Sequence, residues 1–132
     1  MFSVNWQILE KVFEPINNVL AAWVFGSAKD GCITDRSDLD IGVLFSAVPP
    51  LEARVMLREH LQKSLQFDDI DLVILNEASP ITRFEAVCGR LVFVRDQNRW
   101  AEFFSLTARE YEDEMAFLQK GMAMYKELQG RR

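Results

Sequence analysis

Three aspartates stand where buried strands are expected to begin, and their spacing suits them to bind a metal ion. Asp38 and Asp40 enter one apolar run two residues apart, and Asp71 enters another. Residues two apart on a strand project from the same face, so Asp38 and Asp40 are expected side by side. Neighbouring carboxylates repel unless a cation lies between them. Because Mg²⁺ prefers oxygen ligands, the acids predict a magnesium site. If the two strands are neighbours, the three acids form the cage expected of two-metal phosphoryl or nucleotidyl transfer.

A glycine–serine pair supplies the other half of the predicted chemistry. Gly26 and Ser27 follow an apolar run, at the end of an expected strand. Glycine lets the backbone approach phosphate groups closely, and serine adds a hydroxyl donor. If residues 27–30 begin a short helix, its free N–H groups favour an anion, and Lys29 adds positive charge. We therefore predict that a polyphosphate binds beside the metal.

The elements that must position these residues alternate between strands and helices. Short continuous apolar runs, typical of strands buried on both faces, occupy 19–25, 39–45, 71–75 and 91–94. Apolar residues at steps of three and four predict one helix within 2–16, which Pro15 should end or bend, and another over 53–65. This order predicts the α/β class, with a small mixed sheet of about four strands flanked by helices.

Two more helices are expected after the third strand. Ser79 can cap a helix over 80–88, and Gly89 follows where a left-handed residue commonly ends a helix. After Asp96 a long helix is predicted over about 97–128. Its apolar stripe consists of Trp100, Phe104, Ala108, Tyr111, Met115, Leu118, Met122 and Tyr125. Such a helix outruns a small domain, so its far end is a candidate docking surface.

Composition favours one domain over 1–132 in the cytoplasm. The chain has 132 residues, of which 49% are hydrophobic, enough for one core. Its net charge of −5 argues against nucleic acid as a direct partner. No basic region precedes an apolar stretch at the start, and no apolar run reaches membrane-spanning length. We expect neither a signal peptide nor a membrane partner.

The spacing of these motifs resembles a known family. Gly26-Ser27, a gap of ten residues and Asp38-Leu39-Asp40 resemble the signature of the nucleotidyltransferase superfamily that includes DNA polymerase β. Asp71-Leu72-Val73 resembles its third catalytic aspartate. The layout of 75–96 and of the helix around 108–111 is similar to that of minimal nucleotidyltransferase (MNT) antitoxins, which are encoded beside HEPN-domain proteins. The resemblance covers the whole chain.

That resemblance implies an antitoxin that transfers AMP from ATP to a tyrosine of a HEPN ribonuclease toxin, with which it forms a hetero-oligomer. It implies that Asp38 and Asp40 bind both metal ions. Asp71 would hold the ion at the acceptor and help deprotonate its hydroxyl. Gly26 and Ser27 would hold the triphosphate.

Two other functions stay open at this stage. Many relatives carry arginines shortly after the glycine–serine pair, whereas this chain has Asp30, which bears on its affinity for phosphate. A non-catalytic antitoxin would neutralise the HEPN toxin by binding alone. A nucleotidyltransferase acting on a small hydroxylated molecule would use the same chemistry, but the chain shows no second domain to form a substrate pocket.

Overall fold

The computed structural model describes residues 2–26, 31–33 and 38–130 of the chain. In these residues the elements are, in order, β1 (Phe2–Ser3), α1 (Trp6–Phe13), β2 (Val19–Phe25), β3 (Cys32–Ile33), β4 (Leu39–Phe45), α2 (Leu51–Leu65), β5 (Ile70–Ile74), α3 (Pro80–Val87), β6 (Arg90–Val94) and α4 (Gln97–Gly130). The alternation of strands and helices confirms the predicted α/β class.

Four strands form one mixed sheet, in the order β5-β4-β2-β6. The central strand β2 pairs antiparallel with both β4 and β6, whereas β4 and β5 run parallel. The mixed four-stranded sheet was expected. The additional antiparallel pair of β1 and β3 was not, because each contributes only two residues and so leaves no periodicity in the sequence.

Helices cover both faces of the sheet. On one face, α1 and α2 pack over Leu39, Ile41 and Val43, which are fully buried as predicted. On the other, α3 and the first half of α4 cover Trp23. Burial on both faces explains why β2 and β4 are continuous apolar runs. Each fully buried side chain of this kind contributes about 1.5–3 kcal/mol.

The first helix is shorter than predicted. It begins at Trp6 rather than near residue 2, because Asn5 caps it: Asn5 Oδ1 accepts hydrogen bonds from the backbone N–H groups of Gln7 and Ile8. It ends at Phe13, before the proline that was expected to stop it. The apolar spacing continued past both true ends, so it placed the helix within 2–16 but did not give its termini.

Gly89 does not have the left-handed backbone expected of it. The glycines with positive φ in the described residues do not include it, and α3 ends with Cys88 in the right-handed region. A Cβ at position 89 would instead overlap the carbonyl oxygen of Val24. This glycine therefore allows α3 and β6 to pack closely on β2.

The last helix is as long as the sequence predicted, and slightly longer. α4 has 34 residues and runs through Gly121 to Gly130, a length of about 51 Å at 1.5 Å per residue. Asp96 caps its start, because Asp96 Oδ1 accepts from the backbone N–H groups of Asn98 and Arg99. No helix in the described part of the chain is long and apolar enough to cross a membrane.

Candidate active site

The strand register brings Asp40 and Asp71 together where their strands begin. β4 and β5 are parallel neighbours, and Asp40 pairs with Asp71 across them. Asp38 lies two residues before Asp40, so its side chain leaves the backbone on the same side. Asp40 is half-buried, while Asp38 and Asp71 are exposed. The structure thus groups the three predicted aspartates at one edge, which we call the acidic edge.

Burial and neighbouring like charges raise the pKa of the Asp40 carboxyl above its ordinary value. Burial is the largest cause, followed by the charges of Asp71 and Asp38. A side-chain hydrogen bond with Asp71 and the charge of Glu85, from α3, act in the same direction. All of these favour the protonated form of Asp40. A cation bound among these carboxylates would offset their repulsion.

The donor chemistry of the acidic edge suits Mg²⁺, because its ligands are all carboxylate oxygens. With the side chains as they stand, no three acidic, histidine or cysteine residues in 2–26, 31–33 and 38–130 are grouped closely enough to hold an ion. Metal binding therefore requires that these carboxylates move closer together and be deprotonated.

Gly26 follows β2 directly beside Asp40. Its neighbour Phe25 pairs with Asp40 across β2 and β4, and Gly26 itself has φ +70°, which favours glycine. A Cβ at this position would overlap Asp40 Oδ2. The end of β2 thus packs against the carboxylate without a side chain between them. The other predicted nucleotide-binding residues, Ser27 and Lys29, lie outside the described residues.

A cavity of about 370 Å³ opens beside Gly26, on the side away from Asp71. In the sheet order, Asp71 belongs to β5, Asp40 to β4 and Gly26 follows β2, while Gly89 precedes β6. The cavity therefore lies on the β2 and β6 side of Asp40. It is lined by Gly26, Ile81, Phe84, Glu85, Cys88, Gly89 and Tyr111.

Sequence reasoning did not identify this cavity. Ile81, Phe84, Glu85 and Cys88 follow helical spacing and share one face of α3, but the same spacing is typical of residues that face a core. Tyr111 of α4 stacks on Phe84, with ring centroids 3.9 Å apart and planes 11° apart. Only the packing of α4 on α3 shows that this face borders an opening.

Comparison with known families gives a match that agrees with the geometry. A family described as polymerase beta, nucleotidyltransferase matches residues 7–98. The chain belongs to this family. No protein in a search of curated sequences matches it.

Several solved structures resemble this nucleotidyltransferase across most of its length. One is a toxin–antitoxin with AMP-PNP, at 26% identity and a TM-score of 0.77, covering 93% of this chain and 99% of the other. A mutant of the toxin–antitoxin MntA–HpeT has 27% identity, a TM-score of 0.76 and coverages of 93% and 98%. The tri-AMPylated Shewanella oneidensis HEPN toxin in complex with MNT antitoxin has 24% identity, a TM-score of 0.71 and coverages of 92% and 95%.

The matches confirm two sequence-based predictions. The nucleotidyltransferase has the polymerase β-like fold with a long C-terminal helix. Its structural relatives are chains of toxin–antitoxin complexes, as the resemblance to MNT antitoxins implied.

Proposed function

We propose that this nucleotidyltransferase is an MNT antitoxin that transfers AMP from ATP to a tyrosine hydroxyl of a partner HEPN ribonuclease toxin, with Mg²⁺. One observation carries the proposal: Asp40 is flanked by Asp71 on β5 and by Gly26 after β2. A carboxylate in that position borders an acceptor on one side and a nucleotide on the other. The AMP-PNP in a relative that covers 93% of this chain supports ATP as the donor.

Asp38, Asp40 and Asp71 are the residues that would hold the metal, as two ions. When bound, Mg²⁺ supplies positive charge that stabilises the phosphoryl oxygens in the transition state and makes the acceptor hydroxyl easier to deprotonate. The three side chains offer only the oxygen ligands that this ion prefers. The raised pKa of Asp40 means that the ion and a proton compete for the same carboxyl.

The nucleotide lies on the β2 side of Asp40. Gly26, with Ser27 and Lys29, binds the triphosphate, and the cavity beside Gly26 receives the nucleoside. A planar base can pack on the apolar surfaces of Ile81 and Phe84. This arrangement leaves the β5 side of the acidic edge for the acceptor.

The reaction is a single displacement. The acceptor's phenolic oxygen bonds to the α-phosphorus of ATP, and Asp71 takes the phenolic proton. The bond between the α-phosphorus and the oxygen bridging to the β-phosphate breaks, so pyrophosphate leaves. The products are tyrosyl-AMP on the toxin and pyrophosphate, and no covalent intermediate on the antitoxin is needed.

The test uses the HEPN protein encoded next to this chain, Mg²⁺ and ATP labelled at the α-phosphate. We expect label on a tyrosine of the toxin, and none from ATP labelled at the γ-phosphate, because AMP rather than phosphate is transferred. Asp40→Asn keeps the shape of the side chain but removes its charge. It should lower the rate by about 10³-fold or more, as expected for loss of a group that acts mainly in the transition state.

The same assay separates the competing functions. Absence of label on the toxin, with both proteins folded and bound to each other, would contradict the proposal and favour an antitoxin that acts by binding. Neutralisation of the toxin in cells by Asp40→Asn would point the same way. Resistance to an aminoglycoside in cells that express the chain alone would favour a small-molecule acceptor.

A further inference from the structure

α4 runs toward the acidic edge and then past it. Its Phe103 packs on Trp23, within β2, at a ring-centroid distance of 5.9 Å. Two turns later, Tyr111 lines the cavity beside Gly26, just after β2 ends. The helix continues from there to Gly130, which adds about 29 Å at 1.5 Å per residue. We call residues 116–130 the overhang.

One side of α4 packs on the domain in the first half of the helix. The same side stays apolar in the overhang. Leu118, Met122 and Tyr125 continue, at helical steps, the row that contains Thr107 and Tyr111. Thr107 is buried and Tyr111 half-buried, because α3 and the sheet lie beneath them. Past the domain the row stays apolar but is 43–62% exposed. Beside it lie three more exposed apolar residues, Phe117, Met124 and Leu128.

Single exposed apolar residues are normal on a protein surface, but six large ones on one helical face indicate an interaction surface. Protein partners cover such faces, since an amphipathic helix gains stability when its apolar side packs on another chain. The relative bound to AMP-PNP covers 93% of this chain, which leaves fewer residues unmatched than the overhang contains. At least about six of the fifteen overhang residues therefore have a counterpart in that toxin–antitoxin structure.

We propose that the overhang is the docking surface for the protein that receives the nucleotide, so that the partner is held beside the acidic edge. The inference rests on the proposed function for the partner's identity, a HEPN toxin. A partner bound on the overhang keeps its acceptor hydroxyl at a high local concentration next to Asp40 and Asp71. The overhang thus acts through binding and position, and none of its residues takes part in the chemistry.

The experiment compares two triple variants of the full-length chain. Phe117→Gln, Met124→Gln and Leu128→Gln change the overhang, where these side chains are 64–73% exposed. The matched control changes Leu51, Val55 and Met56 to Gln; these lie on α2, on the opposite layer, and are 49–74% exposed. Glutamine is a good helix former, so both variants should keep their helices, as circular dichroism will verify.

The overhang variant should weaken binding to the HEPN toxin by at least about tenfold, the effect expected when several apolar anchors are lost, and the control by less than about threefold. At low toxin concentration, AMP transfer should fall by the same factor as binding. At saturating toxin it should recover, because kcat does not depend on the overhang. Affinity for ATP should stay unchanged in both variants.

Wild-type affinity of the overhang variant for the toxin would overturn the inference. So would a wild-type chain that is a dimer by sedimentation and becomes a monomer in the overhang variant, since the occupant is then a second copy. Asp40→Asn separates this inference from the proposed function, because it should still bind the toxin fully. Binding that depends on the overhang, without any label from ATP, would leave the docking surface standing and refute AMP transfer.

Discussion

Charged side chains on the outer helices lie beside opposite charges, whereas those at the acidic edge lie beside like charges. On the outside, Arg54 of α2 donates two hydrogen bonds of 2.8 Å to the carboxylate of Glu77. At the acidic edge, Asp40 faces two more aspartates, and the pKa of its carboxyl is raised by its burial and by their charges. The outer pair neutralises its own charges, whereas neither of the ion pairs found between described residues includes Asp38, Asp40 or Asp71.

Arg83 of α3 is paired in the same way as Arg54. Its guanidinium donates to the carbonyl oxygens of Leu75 and Asn76, at 2.7 and 2.8 Å, and contacts Glu110 at 3.4 Å. These contacts tie α3 to the end of β5 and to α4. Such pairing stabilises the fold, so a group of acids with no cation beside it among the described residues indicates a site that a ligand completes.

The largest effect on stability should come from placing a methyl group against Asp40. Gly26→Ala puts a Cβ on Asp40 Oδ2 at a residue whose φ is +70°. We expect a loss of about 1–2 kcal/mol in the free energy of unfolding from the backbone conformation alone. Displacement of Asp40 should also lower AMP transfer by about 10²-fold. Denaturant titration and the α-labelled ATP assay measure the two effects.

Gly121→Ala is the matched control for stability, since nothing lies within 4 Å of a Cβ there. In a helix interior this change should raise stability by about 0.5–1 kcal/mol. If Gly26→Ala were as harmless as Gly121→Ala, the close contact between Gly26 and Asp40 would be refuted.

A smaller effect should appear in how stability depends on pH. Because the pKa of Asp40 is raised in the folded chain, folding takes up protons between the ordinary value of 3.8 and the raised one. Stability therefore falls as the pH rises through that interval, and the loss is complete above the folded pKa. With EDTA present, Asp40→Asn should be more stable than wild type at neutral pH, and the gap should close as the pH approaches 3.8.

Magnesium should reverse the order at neutral pH. An ion that binds only the folded chain stabilises it by mass action, and Asp40→Asn has lost a ligand. Thermal unfolding with and without Mg²⁺ measures this. If wild type were more stable than Asp40→Asn in EDTA at neutral pH, the charge of Asp40 would not destabilise the fold.

The sequence allowed the acids to be predicted, because alternation along a strand follows from spacing alone. Asp38 and Asp40 are two apart before an apolar run, and that settles their common side. The contact between Asp40 and Asp71 depends on β4 and β5 being parallel neighbours in register, which only the sheet order gives. The motif resemblance supplied that expectation where periodicity could not.

Features that depend on packing between helices could not be predicted from the sequence. The apolar stripe of α4 looks uniform in the sequence, yet Tyr111 contacts Phe84 while Tyr125 is mostly exposed. The difference arises because the domain ends beneath the helix. The prediction of a left-handed backbone at Gly89 was wrong for a similar reason. A side chain is excluded there by β2, which is distant in the sequence.

The smallest effect should come from the outer charges. Glu77→Gln keeps the size of the side chain and removes one half of the pair with Arg54. Both groups are solvent-accessible, so the stability change at neutral pH should be close to the limit of a denaturant titration, and AMP transfer should be unchanged.

The hydrogen bond from Arg54 lowers the pKa of Glu77, although partial burial opposes it. The pair therefore contributes stability above the ordinary pKa of glutamate and loses it as the pH falls through the lowered value, so wild type and Glu77→Gln should converge in acid. This convergence on lowering the pH has the same direction as for Asp40→Asn, but here wild type is the more stable partner at neutral pH. If Glu77→Gln were instead the more stable protein at neutral pH, the contrast between paired outer charges and an unpaired acidic edge would be wrong.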